Sequence, residues 1–385
     1  MALSSYIRLL HLVLVFCAYS LRTGTSGNPG IETEFNKWLS WNVRNRRSQR
    51  LPDQSVVLSG GGGGRPGLDD KLVIAETNKV TINVSSDGSG GFTTIKEALN
   101  SIPLRNTKRV ILAIKPGFYR EKIFIPRTLP FITFLGDANN PPTITGNDTA
   151  SGNGTDGRPL KTFQSATVSV EANYFVAINI KFENTVPHTI GSKGDQAVVV
   201  RISGTKAAFY NCSFYGDQDT LYDHKGFHYF NNCFIQGSAD FIFGYGMSIY
   251  ENCYLNSIAK KVASFTAQKR SSASLDSGFS FKDSVVTGNA TGLAYLGRAW
   301  GDYSRVVFSY TYMDKVVRPQ GWNDWGKPKR DGRVYYGEDK CSGPGANFTG
   351  RVPWARLLTD EEAEPFIGTL YVEGDAWLII QKKNG

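Results

Sequence analysis

The sequence predicts an all-β chain folded as a parallel β-helix, a solenoid in which each turn of the chain stacks on the one before. From about residue 79 onward, short β-branched or aromatic runs are separated by Gly, Asn and Asp. An Asn or Asp three residues before an apolar residue recurs after these runs, at Asn179, Asn211, Asn232, Asn252 and Asp283. These positions are 32, 21, 20 and 31 residues apart, as expected for stacked coils of about 20 residues with insertions. A β-sandwich would instead show hairpin turns every 8 to 12 residues.

The runs that predict strands are residues 109–114, 167–172, 174–182, 197–202, 207–214 and 305–313. Only two stretches predict helices. One covers residues 93–102, and the other follows Thr359, which forms a capping-box spacing with Glu362.

Composition and charge limit the class of protein. The chain has 385 residues, of which 12% are aromatic and 20% charged, which argues against disorder and against a coiled coil. Its net charge of +9 favours a polyanionic partner, whether nucleic acid, anionic lipid or acidic polysaccharide. Because no nucleic-acid-binding signature is present, nucleic acid is the weaker of these expectations.

The N-terminal region predicts export. Between Arg8 and Arg22 lie 13 uncharged residues, too few to span a membrane, so residues 1–24 are interpreted as a secretory signal peptide and the alternative is a buried helix. Residues 25–75 are basic and Gly-rich and are expected to be a flexible lead-in, with a processing site or an anion-binding patch as alternatives. The remaining residues, 76–385, are expected to form the β-helix domain. Six glycosylation sequons fit a secreted chain, at Asn83, Asn147, Asn153, Asn211, Asn289 and Asn347.

Four cysteines follow the signal, at positions 212, 233, 253 and 341. They allow one or two disulfide bonds in an oxidising compartment. No Cys-x-x-Cys spacing occurs, so a structural zinc site is not expected.

Two carboxylates are predicted to meet on one face of the solenoid. Asp219 and Asp240 are 21 residues apart and each follows a cysteine by seven residues, while Gln196 precedes Gln218 by 22. If these positions stack, two carboxylates and two amides lie on strands about 4.8 Å apart. Such a pair shares its protons unequally, which suits acid–base or nucleophilic chemistry on an ester or glycosidic bond. Arg298 could keep one carboxylate ionised.

The alternative is that these aspartates are structural turn residues, which are common in solenoids. Flanking aromatic residues and the two amides, which could stabilise an oxyanion, favour a catalytic role.

Six motifs, taken in order, resemble the plant pectinesterase (pectin methylesterase) family over about residues 79–380. They are GFTTIKEAL (91–99), PGFYREK (116–122), QAVVV (196–200), GDQDTLY (216–222), DFIFG (240–244) and LGRAW (296–300). The resemblance is to the subgroup without a long inhibitory pro-region. It implies a right-handed parallel β-helix that removes methanol from galacturonate methyl esters in homogalacturonan, with no cofactor or metal. It also implies a secreted, monomeric cell-wall glycoprotein that a proteinaceous pectinesterase inhibitor could bind, with no nucleic-acid or membrane partner.

The resemblance also implies residue roles. Asp240 would be the nucleophile, Asp219 the acid and then the base, Gln196 and Gln218 the oxyanion donors, and Arg298 the partner of Asp240. The family positions whose rings stack on sugars match Phe163, Tyr222, Phe243, Trp300 and Trp322, with Trp325 an alternative to Trp322.

The chain departs from the family pattern at Ala299, Asp217 and in QAVVV, which replace Pro, an aromatic residue and QAVAL. None of these removes a role-bearing group. Cys233 and Cys253, 20 residues apart on adjacent coils, are the predicted disulfide, and Cys212 competes for Cys233 by the same stacking.

Other functions fit less well. A pectin-cleaving glycoside hydrolase would need a different carboxylate and histidine pattern, and none of the four histidines has it. A lyase would need an acidic calcium site. A catalytically inactive pectin-binding homologue would not need all five of the polar residues predicted to act in catalysis.

Overall fold

The computed structural model describes residues 68–187 and 194–379, and these form the right-handed parallel β-helix that the sequence predicts. Within this part of the chain, one sheet has 11 strands and two have 8. Except at the two ends, consecutive strands of the chain belong in rotation to the first, second and third sheets. Each strand pairs in parallel with the equivalent strand of the next coil.

The strands are numbered along the chain. The first sheet contains β1 Val80–Val84, β2 Val110–Ile114, β5 Ile132–Leu135, β8 Val176–Ile178, β11 Ala207–Tyr210, β14 Phe227–Asn231, β17 Met247–Glu251, β20 Gly278–Lys282, β23 Arg305–Ser309, β26 Tyr335–Asp339 and β27 Arg356–Leu357. The second contains β3 Phe118–Arg120, β6 Thr143–Gly146, β9 Lys181–Asn184, β12 Ser213–Tyr215, β15 Phe234–Gly237, β18 Tyr254–Ser257, β21 Val285–Gly288 and β24 Tyr312–Met313. The third contains β4 Ile123–Ile125, β7 Val168–Val170, β10 Val200–Ile202, β13 Leu221–Asp223, β16 Ile242–Gly244, β19 Ala263–Gln268, β22 Ala294–Ala299 and β25 Trp322–Asn323.

Short helices lie outside the coils. The α-helices are α1 Asp70–Thr77, α2 Ile95–Asn100, α3 Lys161–Gln164 and α4 Asp360–Ile367. The 3-10 helices are Pro328–Arg330, Pro344–Ala346, Phe348–Gly350, Thr369–Val372 and Gly374–Ala376. Helices α2 and α4 are the two predicted from the sequence, and α4 has the complete capping box of Thr359 and Glu362. Helix α1 begins inside the predicted lead-in, where Asp69 accepts hydrogen bonds from Lys206 and Tyr174, so the end of that segment is ordered.

The recurring Asn and Asp residues are corners between the first and second sheets. All five have a left-handed backbone, with φ between 50° and 58°, a conformation that Asn and Asp adopt more readily than most residues. The Asn211 side-chain amide donates to the Asn179 side-chain oxygen at 2.8 Å, which links the corners of adjacent coils. These corners divide residues 174–182 and 207–214, each predicted as one run, into two strands in different sheets.

The interior of the solenoid is a ladder of stacked rings. Phe209, Phe230, Tyr250, Phe281 and Phe308 occupy equivalent positions on successive coils, with neighbouring ring centroids 4.4 to 4.9 Å apart. All five are fully buried. Because each ring packs on its equivalent, this stack fixes the register between coils.

The predicted disulfide is wrong in this structure, since all four described cysteines are free thiols. Cys212, Cys233 and Cys253 directly precede the paired residues Ser213, Phe234 and Tyr254, so they do stack on adjacent coils. In-register side chains of a parallel sheet run side by side at about 4.8 Å, whereas a disulfide brings its Cβ atoms to about 3.8 Å. The side chains of Cys233 and Cys253 are in contact as thiols, without a bond between the sulfur atoms.

The predicted signal peptide, most of the lead-in and His188 lie outside the described residues. In the described part, no helix is both long enough and apolar enough to cross a bilayer.

Candidate active site

Asp219 and Asp240 occupy equivalent positions on neighbouring coils, where the chain passes from the second sheet to the third. Leu221 pairs with Ile242, and the Asp219 amide donates to Ala239, the residue before Asp240. The two aspartates are therefore one strand spacing apart, about 4.8 Å. Both have left-handed backbones, with φ of 66° and 49°, and both are more than nine-tenths buried.

Asp240 is held by two donors from the following coils. Arg298 donates from Nε to Asp240 Oδ1 at 2.7 Å and from Nη2 to Oδ2, which makes a bidentate pair. Ser264 Oγ donates to Oδ1 at 2.6 Å. These contacts give the Asp240 carboxyl group a cationic partner on both oxygens and a hydroxyl donor on one.

Asp219 is in the opposite electrostatic situation. Burial, and after it the negative charge of Asp240, raises the pKa of Asp219 well above its usual range, while Arg298 lowers it by a smaller amount. Asp219 therefore carries a proton beside an ionised carboxylate, which is the division of roles that acid catalysis requires.

Gln196 and Gln218 also stack, through a one-residue bulge. The amides of Val199 and Val200 both donate to the Thr220 carbonyl oxygen, and Ala197 donates to Gln218. The extra residue explains why the glutamines are 22 residues apart although the aspartates are 21 apart. Both glutamines are half-buried, and neither side chain has a hydrogen bond to another described residue.

The aromatic residues form a row beside the aspartates. Tyr222 and Phe243 are paired on adjacent coils, and their rings stack with centroids 4.3 Å apart, while Trp300 lies 6.1 Å from Phe243. Tyr222 and Phe243 are more than nine-tenths buried, so they form the base of the row. Phe163, 39% exposed, and half-buried Trp300 present more ring surface to solvent.

Trp322 does not belong to this row, and its prediction as a sugar-stacking residue is wrong. Its side chain is only 1% exposed, its ring stacks on Tyr336 at 4.5 Å, and its indole donates to Glu338 at 3.1 Å. Trp322 therefore belongs to the solenoid core. The alternative, Trp325, is 36% exposed and lies over the Arg298 guanidinium, 3.8 Å from the ring centroid.

Two comparisons with known proteins identify the family of the chain. The family model described as Pectinesterase matches residues 81–375. Pectinesterase QRT1 of Arabidopsis thaliana is 44% identical over 299 residues, which cover 77% of this chain and 78% of the relative. The chain belongs to the pectinesterase family.

Solved structures of the family share the fold. A pectin methylesterase from carrot is 33% identical and superposes with a TM-score of 0.70, over 77% of this chain and 94% of the carrot protein. A pectin methylesterase in complex with a hexasaccharide is 25% identical, with a TM-score of 0.66 over 78% of this chain and 98% of that protein.

In this pectinesterase His224, to which the sequence assigned no catalytic role, packs against the aromatic row. Burial, and next the positive charge of Arg201, lowers the pKa of His224 to about 4, so the ring is neutral at physiological pH. Its Nδ1 lies 2.9 Å from Ser203 Oγ and its Nε2 lies 3.1 Å from the Tyr245 hydroxyl. The ring also packs edge-on against Phe163 at 5.3 Å, so His224 supports the aromatic row.

Arg201 and Ser264 were also missed. The Arg201 guanidinium lies under the Phe163 ring at 3.7 Å and pairs with Glu171 at 3.3 Å. A register count from Asp240 would have located Ser264, but its side-chain direction depends on the tertiary structure. Among the described residues, no group of three His, Cys, Asp or Glu side chains could hold a metal ion.

Proposed function

We propose that this pectinesterase hydrolyses galacturonate methyl esters in homogalacturonan, with Asp240 as nucleophile and Asp219 as the acid and base. These roles rest on the different environments of the two carboxyl groups. Arg298 forms a bidentate pair with Asp240, whereas burial and the negative charge of Asp240 strongly raise the pKa of the neighbouring Asp219. The chain is a carboxylic ester hydrolase by family membership.

In the first step an oxygen of Asp240 attacks the C6 carbonyl carbon, and the carbonyl electron pair moves onto its oxygen. The side-chain amides of Gln196 and Gln218 would donate hydrogen bonds to this oxyanion. As the carbonyl re-forms, the bond to methoxide breaks, and Asp219 gives its proton to the departing oxygen. Methanol leaves, and the galacturonate is joined to Asp240 as an anhydride.

In the second step Asp219, now a carboxylate, takes a proton from water. The hydroxide attacks the same C6 carbon, and the bond to Asp240 breaks. The products are the galacturonate carboxylic acid, which ionises in water, and the regenerated Asp240 carboxylate, with Asp219 protonated again. Atoms and charge balance, and no other reactant is needed.

Substrate binding is supported by the aromatic row and by positive charge. Phe163, Trp300 and Trp325 offer ring surface for sugar faces. Lys269 Nζ lies 4.0 Å from the centre of the Trp300 ring, which adds a cation at the groove for the carboxylates of de-esterified residues. The relative solved with a hexasaccharide supports a groove that accommodates several sugars.

We also propose that the enzyme is secreted into the cell wall as a monomer, after its signal peptide is cleaved at about residue 24. A proteinaceous inhibitor can bind to this monomer. Five sequon asparagines are exposed and could carry glycans, namely Asn83, Asn147, Asn153, Asn289 and Asn347. Asn211 is a poorer acceptor because its amide donates to Asn179.

The test is methanol release from highly methylated pectin. We expect Asp240→Asn to abolish it while the fold is retained. Asp283→Asn is the matched control, because it makes the same change at another left-handed aspartate, whose side chain is 6% exposed and whose equivalents on four coils are Asn. Normal release from Asp240→Asn would reject the nucleophile, and shortened or unsaturated oligomers would indicate a hydrolase or a lyase.

A further inference from the structure

Ser264 contacts Asp240 twice. The Asp240 amide donates to the Ser264 carbonyl oxygen at 2.8 Å, and Ser264 Oγ donates to Asp240 Oδ1 at 2.6 Å. Ser264 lies in β19, one coil beyond Asp240, and is 1% exposed. Its hydroxyl is therefore inaccessible to a polysaccharide and acts only through Asp240.

The hydrogen bonds divide unequally between the two carboxylate oxygens. Each oxygen of an ionised carboxylate has about two acceptor positions. Oδ1 accepts from Ser264 Oγ and from Arg298 Nε, which fills both positions. Oδ2 accepts only from Arg298 Nη2 among the described residues, so it retains one lone pair.

We propose that Ser264 is a positioning residue that saturates Oδ1 and thereby makes Oδ2 the oxygen that attacks the ester. This inference rests on the proposed role of Asp240 as nucleophile. The bond that forms joins Oδ2 to C6, and the bond that later breaks is the one between C6 and methoxide, whose proton comes from Asp219. Ser264 keeps its own proton throughout, and its bond to Oδ1 holds the carboxylate plane in one orientation.

This arrangement matters because the Arg298 contact alone leaves Oδ1 with a free lone pair. Without Ser264, either oxygen could accept a further proton or hydrogen bond, and the Arg298 pair alone would oppose rotation of the carboxylate about its Cβ–Cγ bond. A nucleophile held in one orientation reacts faster because fewer of its conformations are unproductive. Substrate affinity is unchanged, because Ser264 touches no part of the groove surface.

The experiment compares Ser264→Ala with Ser264→Thr in the full chain, by initial rates of methanol release over a range of pectin concentrations. We expect Ser264→Ala to lower kcat about 10- to 100-fold with KM changed less than twofold, the size expected for losing a hydrogen bond to a charged group. Ser264→Thr restores the hydroxyl and should retain kcat within about threefold, since a strand accepts a β-branched residue.

The matched control is Ser280→Ala. Ser280 is also a fully buried strand serine, and its Oγ donates at 2.6 Å to the Phe366 carbonyl oxygen, away from the aspartates. Thermal melts of all variants separate stability from rate. Ser280→Ala should lower the melting temperature and leave kcat within about twofold.

Wild-type kcat in Ser264→Ala, or a loss confined to KM, would overturn the inference. An equal fall in kcat for Ser264→Ala and Ser280→Ala would attribute the effect to general destabilisation and would overturn it too. If Ser264→Thr proves unstable, the comparison of Ser264→Ala with Ser280→Ala still decides whether Ser264 positions Asp240. Activity in Asp240→Asn would instead refute the proposed nucleophile, whereas an inactive Asp240→Asn with a fully active Ser264→Ala would refute only the role of Ser264.

Discussion

Asp219 lies one coil from Asp240 in the same register, and both have left-handed backbones, so two buried carboxyl groups share one face at the edge of the third sheet. Non-glycine residues pay roughly 1 to 3 kcal/mol for such backbones, which persist only where the surrounding structure enforces them. Here the stacked coils enforce them, and they bring Asp219, whose pKa is raised, beside the proposed nucleophile Asp240.

Asp219→Asn should trade activity for stability. Folded Asp219 keeps its proton at pH values where the unfolded side chain, with a pKa of about 3.9, has lost it. The free energy of unfolding therefore falls as pH rises above that value toward the raised folded pKa. Removing the group should make the variant more stable at pH 7, as measured by denaturant unfolding. Methanol release should fall about 100- to 10,000-fold because the general acid is lost.

The gain in stability should disappear at pH 3, where both folded and unfolded Asp219 are protonated. Asp283→Asn again serves as the control variant. A variant that is no more stable than the parent chain at pH 7 would contradict the raised pKa.

The two tryptophans Trp322 and Trp325 should respond in opposite ways. Trp322→Ala empties part of the core and should lower the free energy of unfolding by about 3 to 5 kcal/mol. Trp325→Ala removes an exposed ring over Arg298 and should change stability by less than about 1 kcal/mol. Its kcat/KM for pectin should fall about 3- to 30-fold, in line with a lost cation–π contact and a lost sugar surface. Steady-state kinetics and denaturant unfolding on both variants check this. If Trp322→Ala lost kcat/KM and kept its stability, while Trp325→Ala lost stability, Trp322 would again be the sugar-stacking residue that the sequence predicts.

His224 should affect stability in acid and not the pH dependence of catalysis. Its pKa is about 4 when folded and about 6.5 when unfolded, so the unfolded chain takes up a proton first as pH falls. Stability should therefore decline from about pH 6.5 down to about pH 4, and His224→Gln should remove part of that decline. Denaturant unfolding at pH 7.5 and pH 5 measures it. Between pH 5 and 8 the profile of kcat/KM should keep its shape, and a displaced limb would mean that His224 takes part in catalysis.

The four core cysteines should remain free and unreactive in the folded protein. Burial raises the pKa of Cys212 and Cys233 well above the usual range, and that of Cys341 to about 12, so few thiolates exist at neutral pH. A thiol reagent should label these residues only after unfolding, as shown by mass spectrometry of peptides. A melting temperature that falls when a reductant is added would indicate a disulfide.

The recurring Asn and Asp residues predicted the solenoid because their left-handed corners have a local cause, the short polar side chain that tolerates positive φ. The 21-residue spacing of Asp219 and Asp240 predicted their stacking for the same reason, since a coil of fixed length returns each residue to its equivalent position. The cysteine spacing is equally regular, yet the predicted bond does not form. The spacing determines which cysteines are neighbours. Whether two neighbouring cysteines form a disulfide bond depends on the distance and direction of their side chains, which the spacing does not specify.

The sequence by itself determined the coil repeat and the identity of the paired carboxylates, because these depend on chain length per coil and on residue type, while the arginine beside Asp240 was expected from the family resemblance. Only the tertiary structure decided which tryptophan is exposed beside Arg298 and which serine donates to Asp240. Trp322 and Trp325 are three residues apart, and one enters the core because β25 pairs there with β22, while the other follows a turn into solvent. Burial of a side chain depends on every coil packed around it, and that information is not local to any stretch of the sequence.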